Sequence, residues 1–218
     1  MTKHQHHRVS RSRGFSLIEV VLAIGIFLVT VLALVGLLGP TLQSVDEVEK
    51  TDEVSSVVNT INAFLQNSPL IAAGTSSKFA TIYGAVGTNN YATLFVFRSY
   101  RDSTSDEIVL KVGFDSTETV GTNAKLTAAD FVNAAGPIYR VVLSASSVLP
   151  EASRSAVRNG NQVYTLADPD VATYLEGSFA MEVRIYAEDP GPTFTYSKSL
   201  TELKDEVPVF TYNTAIVR

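Results

Sequence analysis

The sequence predicts an α+β protein: a long N-terminal helix, apolar in its first half and amphipathic in its second, packed on a mostly antiparallel β-sheet head. Three observations carry this reading. Val20–Val45 runs for 26 residues without a charge. Val54, Val57, Val58, Ile61, Phe64 and Leu65 then recur at spacings of three and four. From about residue 70 onward, strand-like alternation broken by Gly, Pro and Asn turns replaces that helical period. At 218 residues the chain has room for one ordinary domain plus an appendage. Its 17 Lys+Arg against 22 Asp+Glu argue against a broad nucleic-acid-binding surface. Cysteine is absent, which excludes disulfides, thiolate metal sites and a cysteine nucleophile.

The first element is a basic leader. Residues 1–14 contain Lys3, Arg8, Arg11, Arg13, three histidines (His4, His6, His7) and no acid. The second is a membrane span. From Val20 to Leu38 only Gly25, Thr30 and Gly36 are neither strongly apolar nor Ala, and about 20 helical residues cross a hydrocarbon core of roughly 30 Å. The first charges beyond it are Asp46, Glu47, Glu49, Lys50, Asp52 and Glu53. Basic flanks stay in the cytoplasm, so the C-terminal bulk is expected to face outward. A secretory signal peptide has a shorter apolar run closed by a small-residue cleavage site, and neither is present here.

Beyond Gly39-Pro40, expected to kink the helix mildly, the apolar stripe from Val54 to Leu65 marks an amphipathic stalk. Asn67-Ser68-Pro69 ends it, because the residue before a proline is driven out of helical geometry. One helix from about 15 to 67 results. In the remainder, Ile108, Leu110, Val112 and Phe114 share one strand face, and Phe179, Met181, Val183 and Ile185 share another opposite Glu182 and Arg184. Tyr91–Tyr100 and Ile138–Leu143 are apolar on both faces, as central strands are. Val207–Val217 is a last strand, which Pro208 confines to a sheet edge or a strand start. Gly87-Thr88-Asn89-Asn90, Gly136-Pro137, Asn159-Gly160 and Asp189-Pro190-Gly191-Pro192 read as turns between these elements.

Chemistry is sparse. Beyond the leader there is neither histidine nor cysteine, which excludes Ser-His-Asp and Cys-His catalysis and the usual zinc ligand sets. No P-loop or G-x-G-x-x-G occurs. The acid pairs Asp168/Asp170, Glu188/Asp189 and Asp205/Glu206 read as turn residues, and Asp168, Asp170 and Glu176 match no EF-hand spacing for calcium. Tyr83, Tyr91, Phe95 and Phe97 read as sheet core. No catalytic residue, cofactor or metal site is expected.

One residue stands out. Glu19 lies between Phe15-Ser16-Leu17-Ile18 and Val20-Val21-Leu22, at the edge of the span, where an uncompensated carboxylate is costly and therefore functional by default. A plain signal anchor gives no reason for it. The run Arg13-Gly14-Phe15-Ser16-Leu17-Ile18-Glu19-Val20-Val21-Leu22-Ala23 resembles the class III signal of type IV pilins and pseudopilins: a basic leader ending in Gly, then Phe, with Glu at the fifth mature position. The resemblance covers roughly residues 8 to 40. It implies cleavage between Gly14 and Phe15 by a prepilin peptidase, N-methylation of the new Phe15 amine, and subunit assembly in which Glu19 pairs with that amine on a neighbour. A narrower resemblance, carried by Gly36-Leu37-Leu38-Gly39-Pro40, is to prepilin-like cassette proteins of Verrucomicrobia.

What the resemblance implies follows directly. The domains would be a removed leader (1–14), a transmembrane and assembly helix (15–39), an amphipathic stalk (40–68) and an extracytoplasmic α+β head (69–218). The chain would be a non-enzymatic, minor or accessory subunit of a type IV pilus-like or type II secretion filament. Its partners would be the prepilin peptidase, other pilin or pseudopilin subunits, the inner-membrane assembly platform with its ATPase, and the lipid bilayer. It would sit in the inner membrane with a periplasmic or extracellular head. The alternative is a membrane-tethered adhesin or ligand-binding module that uses a pilin-like anchor.

Overall fold

The computed structural model describes residues 15–66, 77–101, 104, 106–115 and 125–218. The Asn67-Ser68-Pro69 stop lies outside these residues. The chain divides into two compact units, Met1–Asp52 and Glu53–Arg218. Helix α1 (Leu17–Gln66) contributes to both.

In the second unit, Val57, Ile61 and Leu65 come from one face of α1 and are buried in the main core. Their spacing of four residues is the stripe that the sequence pattern implies. Each such side chain, fully removed from water, contributes about 1.5–3 kcal/mol. The end of α1 is closed by a long-range cap. Lys78 Nζ donates to the Phe64 carbonyl at 2.6 Å and lies 4.0 Å from the centroid of the Phe64 ring. A cation there suits the negative end of a helix. Burial holds the Lys78 amine below its ordinary pKa.

Residues expected to open the strand region instead form α2 (Lys78–Asn89). Ser77 caps it by accepting from the Ala80 N–H at 3.1 Å. Phe79, Ile82, Tyr83 and Val86, at helical spacing, face the core. Gly87-Thr88-Asn89-Asn90 is therefore the last turn of a helix rather than a free turn. Asn90 adopts φ 70° and donates its N–H to the Val86 carbonyl as the C-cap. Tyr83 belongs to the core as expected, but from this helix and not from the sheet.

The six strands are β1 (Ala92–Tyr100), β2 (Ile108–Asp115), β3 (Lys125–Leu126), β4 (Ala134–Ala145), β5 (Ser178–Glu188) and β6 (Phe210–Val217). They form one sheet in the order β3-β2-β1-β4-β5-β6. Every pairing is antiparallel except the short parallel β2–β3 contact. The doubly apolar strands β1 and β4 are central, and β6, which follows Pro208, is an edge. Gly136-Pro137 does not form a turn between elements; both residues lie inside β4, where Gly136 takes φ +122°. The apolar face assigned to β2 is only partly buried. Phe114 is enclosed, whereas Ile108 and Leu110 are exposed.

Strand alternation sends side chains to two faces. Leu94, Val96, Tyr139, Val141 and Leu143 face α1 and α2 with Phe179, Met181, Val183 and Ile185. On the opposite face, Phe95, Phe97 and Ile138 pack with Leu126 and Phe131 under Phe194 and Tyr196. Farther along that face, Val142 and Tyr186 are covered by Val163, Leu200 and Leu203. Leu200–Leu203 is a one-turn helix, α3, closed by a Ser199–Glu202 capping box.

Arg140 is fully buried in this second layer. Its Nε and Nη2 donate to the two Glu188 carboxylate oxygens at 2.9 and 3.0 Å. Nη1 and Nη2 also donate to the Tyr196 and Thr195 carbonyls at 2.9 and 2.6 Å. The guanidinium lies 4.8 Å from the Phe95 ring centroid. One side chain thereby ties the segment after β5 onto the sheet.

Candidate functional site

The candidate site is the start of α1. Ser16 stands at the N-cap position, and Ser16-Leu17-Ile18-Glu19 has the S-x-x-E spacing of a capping box. The Ser16 N–H donates to Glu19 Oε2 at 2.9 Å, and the Val20 N–H donates to the Ser16 carbonyl at 3.2 Å. In the single chain, the Glu19 carboxylate is thus turned back onto a backbone N–H at the positive end of its own helix. Sequence reading assigned Glu19 an intermolecular partner and passed over this local one, although the spacing that signals it was present. Phe15 precedes the first helical residue and is 86% exposed.

From Leu17 to Leu37 the helix has 21 residues of span-like composition, none of them buried. At 1.5 Å per residue this is about 31 Å, the thickness of a bilayer's hydrocarbon core. Leu17, Ile18, Val21, Phe27, Leu32 and Leu37 are exposed around its circumference. An exposed apolar surface of this kind needs lipid or other helices around it. Thr30 does not break that character, because its hydroxyl donates to the Ile26 carbonyl at 2.8 Å. Among the described residues, nothing beyond the local helix backbone lies within 4 Å of where a Cβ on Gly25 or Gly36 would stand, so both leave open surface for a neighbour.

Gly14 and the leader histidines lie outside the described residues, as do the side chains of Asp46, Glu47 and Glu49. Of the paired acids, Asp168, Asp170, Glu188 and Glu206 have local partners. Asp168 accepts from the Asp170 N–H at 3.1 Å and the Thr173 hydroxyl at 2.6 Å, which hold its carboxyl below the usual range. Asp170 accepts from the Ala172 N–H at 2.9 Å. Glu188 binds Arg140 and Lys198, and Glu206 also meets Lys198. Among the described residues, no group of three or more His, Cys, Asp or Glu side chains is placed to hold a metal ion.

Comparison with known families adds one finding: residues 9–35 match the prokaryotic N-terminal methylation motif. The chain carries the type IV pilin/pseudopilin signal. The matched stretch contains Gly14, Phe15 and Glu19 and most of the span-like part of α1, so motif and exposed apolar helix coincide. No curated protein and no solved structure matches the chain. The match and the one span-like helix among the described residues together support a membrane-anchored, pilin-like precursor.

Proposed function

We propose that the chain is a structural, non-enzymatic subunit of a type IV pilus-like or type II secretion filament, in a minor or accessory position. The observation that carries this reading is the coincidence of the methylation motif with a fully exposed apolar helix whose start holds an acid. In this reading the basic leader stays in the cytoplasm. The prepilin peptidase hydrolyses the Gly14–Phe15 bond, with Gly14 lying close against the protease cleft because it has no Cβ. The Phe15 amine so released is then N-methylated. Residues 15–39 anchor and assemble the subunit, 40–68 form the stalk, and 69–218 form a head on the outer side of the inner membrane. The assembly platform and its ATPase supply the energy, since the chain has no nucleotide motif.

Glu19 has two successive partners in this reading. Before assembly its carboxylate caps its own helix through Ser16. Once surrounded by apolar helices it takes the Phe15 amine of a neighbouring subunit, and this pairing fixes the axial register because a slipped helix leaves both charges unpaired. The deciding measurement is the mass of the mature N-terminus in the native host, with and without the peptidase. A peptidase-dependent start at methylated Phe15 is expected, and an intact leader in both strains rules the pathway out. Glu19→Gln then separates the two roles. Glutamine keeps the cap geometry but removes the charge, so Glu19→Gln and Glu19→Val should both insert and be cleaved yet fail to assemble. Normal incorporation of Glu19→Gln would reduce Glu19 to a helix cap.

A further inference from the structure

On the sheet face turned away from α1, a cleft of about 320 Å³ opens beside the β5–β6 strand pair. It lies wholly within the second unit. Its charged lining is Arg158, Arg184 and Lys204 against Glu182 and Glu206. Three cations face two carboxylates, so the cleft carries an excess positive charge in a chain whose net charge is −5.

Both carboxylates are already engaged. Glu182 Oε1 accepts from Arg158 Nη1 at 2.9 Å and from Arg184 Nε at 2.8 Å, and Oε2 accepts from Arg158 Nη2. Glu206 meets Lys198, which does not line the cleft, at 3.1 Å. Lys204 is exposed, and among the described residues no carboxylate lies within ion-pair distance of it. Glu202, two residues before it, is taken up by the Ser199 cap at 2.7 and 2.8 Å.

The two guanidiniums share a second acceptor, the Gln162 carbonyl, which Arg158 Nη1 reaches at 2.7 Å and Arg184 Nη2 also reaches. Gln162 holds φ 63°, a left-handed conformation that costs a residue with a side chain. Two like charges held on the same acceptors repel, and one arginine is enough to fasten the 158–162 turn to β5. Each guanidinium has five N–H donors, and Glu182 and Gln162 do not take all of either set. Thr211, opposite Arg184 in the β5–β6 register, adds a hydroxyl that has no partner among the described residues.

We propose that the cleft of Arg158, Arg184, Lys204 and Thr211 binds a tetrahedral oxyanion of the phosphate class. Guanidinium forks and an ammonium are the side chains that recognise such groups. Here they come from three pieces of chain, the 158–162 turn, β5 and the residue after α3, with β6 adding the hydroxyl. Donors gathered from several directions suit four tetrahedral oxygens better than the two oxygens of a planar carboxylate. A water molecule occupies about 30 Å³ in the liquid, so the cleft also exceeds the volume of a single phosphate. A free phosphate-type anion and a phosphate ester, as on a lipid headgroup, offer the same chemistry to it. The site does not depend on the filament-subunit reading.

The test uses the full chain purified in detergent and titrated with inorganic phosphate by calorimetry, against sodium chloride of equal ionic strength. Saturable binding of one phosphate per chain is expected, with Kd below about 10 mM. Lys204→Gln should weaken it at least about fivefold and Lys204→Glu should abolish it over the same range. Lys125→Gln, on the opposite edge strand β3, should leave it unchanged. Without phosphate, both Lys204 variants should unfold at the parent temperature, because Lys204 holds no ion pair. Glycerol 3-phosphate separates the two sources: binding at least as tight as inorganic phosphate assigns the cleft to an ester, and weaker binding assigns it to the free anion. Sulfate should displace phosphate and acetate should not. Heats no greater than the chloride control, or parent affinity retained by Lys204→Glu, overturn the proposal. Displacement by acetate as effective as by sulfate overturns the tetrahedral assignment.

Discussion

Replacing Arg140 with methionine tests what closes the outer layer of the sheet. The substitution keeps an unbranched side chain of similar length and removes every donor. Glu188 loses both contacts to the guanidinium and, among the described residues, retains Lys198 at 3.0 Å. The carbonyls of Thr195 and Tyr196 lose their donors as well. Breaking a buried pair by removing one partner costs about 3–5 kcal/mol, and orphaning the part-buried Thr195 and Tyr196 carbonyls adds at most about 1 kcal/mol each. These overlap, and Lys198 offsets part of the first, so a net loss of about 4 kcal/mol is expected. For a unit of this size that lowers the unfolding midpoint by about 8–16 °C. Lys198→Met leaves the Arg140–Glu188 pair intact and should cost under about 1 kcal/mol. Thermal unfolding of the full chain in detergent, followed by circular dichroism, compares the two directly. The double change Arg140→Met with Glu188→Leu should recover stability relative to Arg140→Met alone, because no buried charge is then stranded. If Arg140→Met unfolds within about 1 kcal/mol of the parent, the guanidinium does not hold the 189–199 segment and the reasoning fails.

Two glycines in α2 should respond in opposite directions. At Gly84 a built Cβ meets nothing within 4 Å, so Gly84→Ala should gain about 0.5–1 kcal/mol from helix propensity. At Gly87 the same atom would lie 2.5 Å from the Pro169 carbonyl oxygen, and Gly87→Ala should lose about 1–3 kcal/mol despite that propensity; denaturant midpoints of the two variants read the difference. Burial alone would raise the Glu182 carboxyl, but its hydrogen bonds from Arg158 and Arg184 outweigh this and hold it below the ordinary value of 4.5. The stability it contributes is therefore present above about pH 4.5 and lost as pH falls through the depressed folded value. Glu182→Gln should be less stable than the parent at pH 7 and show a shallower loss on acidification, and equal slopes for the two chains would refute the assignment.

What was legible in the sequence was what local periodicity encodes. The stripe Val57, Ile61, Leu65 and the alternation Phe179, Met181, Val183, Ile185 name their buried faces because each face is repeated several times. Pro208 marked the edge because a missing N–H cannot serve a central strand. α2 was misread because Gly84 and Gly87 dilute its pattern and Thr88-Asn89-Asn90 has turn composition. Its helical state rests on packing against Phe179 and Tyr174, nearly 100 residues away in sequence. Gly136-Pro137 was misread for a related reason: turn chemistry predicts a turn only where no neighbouring strand claims the backbone. The exposure of Ile108 and Leu110 was invisible to alternation, since alternation shows which residues share a face and not whether anything covers it. Nor does any local pattern join Arg140 to Glu188.

The methylation motif was legible for the opposite reason: its residues, 9–35, are consecutive and need no fold to bring them together. The pattern did not reveal that Glu19 already has a partner. A carboxylate capping Ser16 in water gains one modest, solvent-competed hydrogen bond. Surrounded by apolar helices, the same carboxylate keeps that bond but remains an uncompensated charge, which a backbone N–H alone does not neutralise. In the proposed assembly, an amine from a neighbouring chain would do so. On the proposal above, the cap suits the free subunit and the ion pair the assembled one.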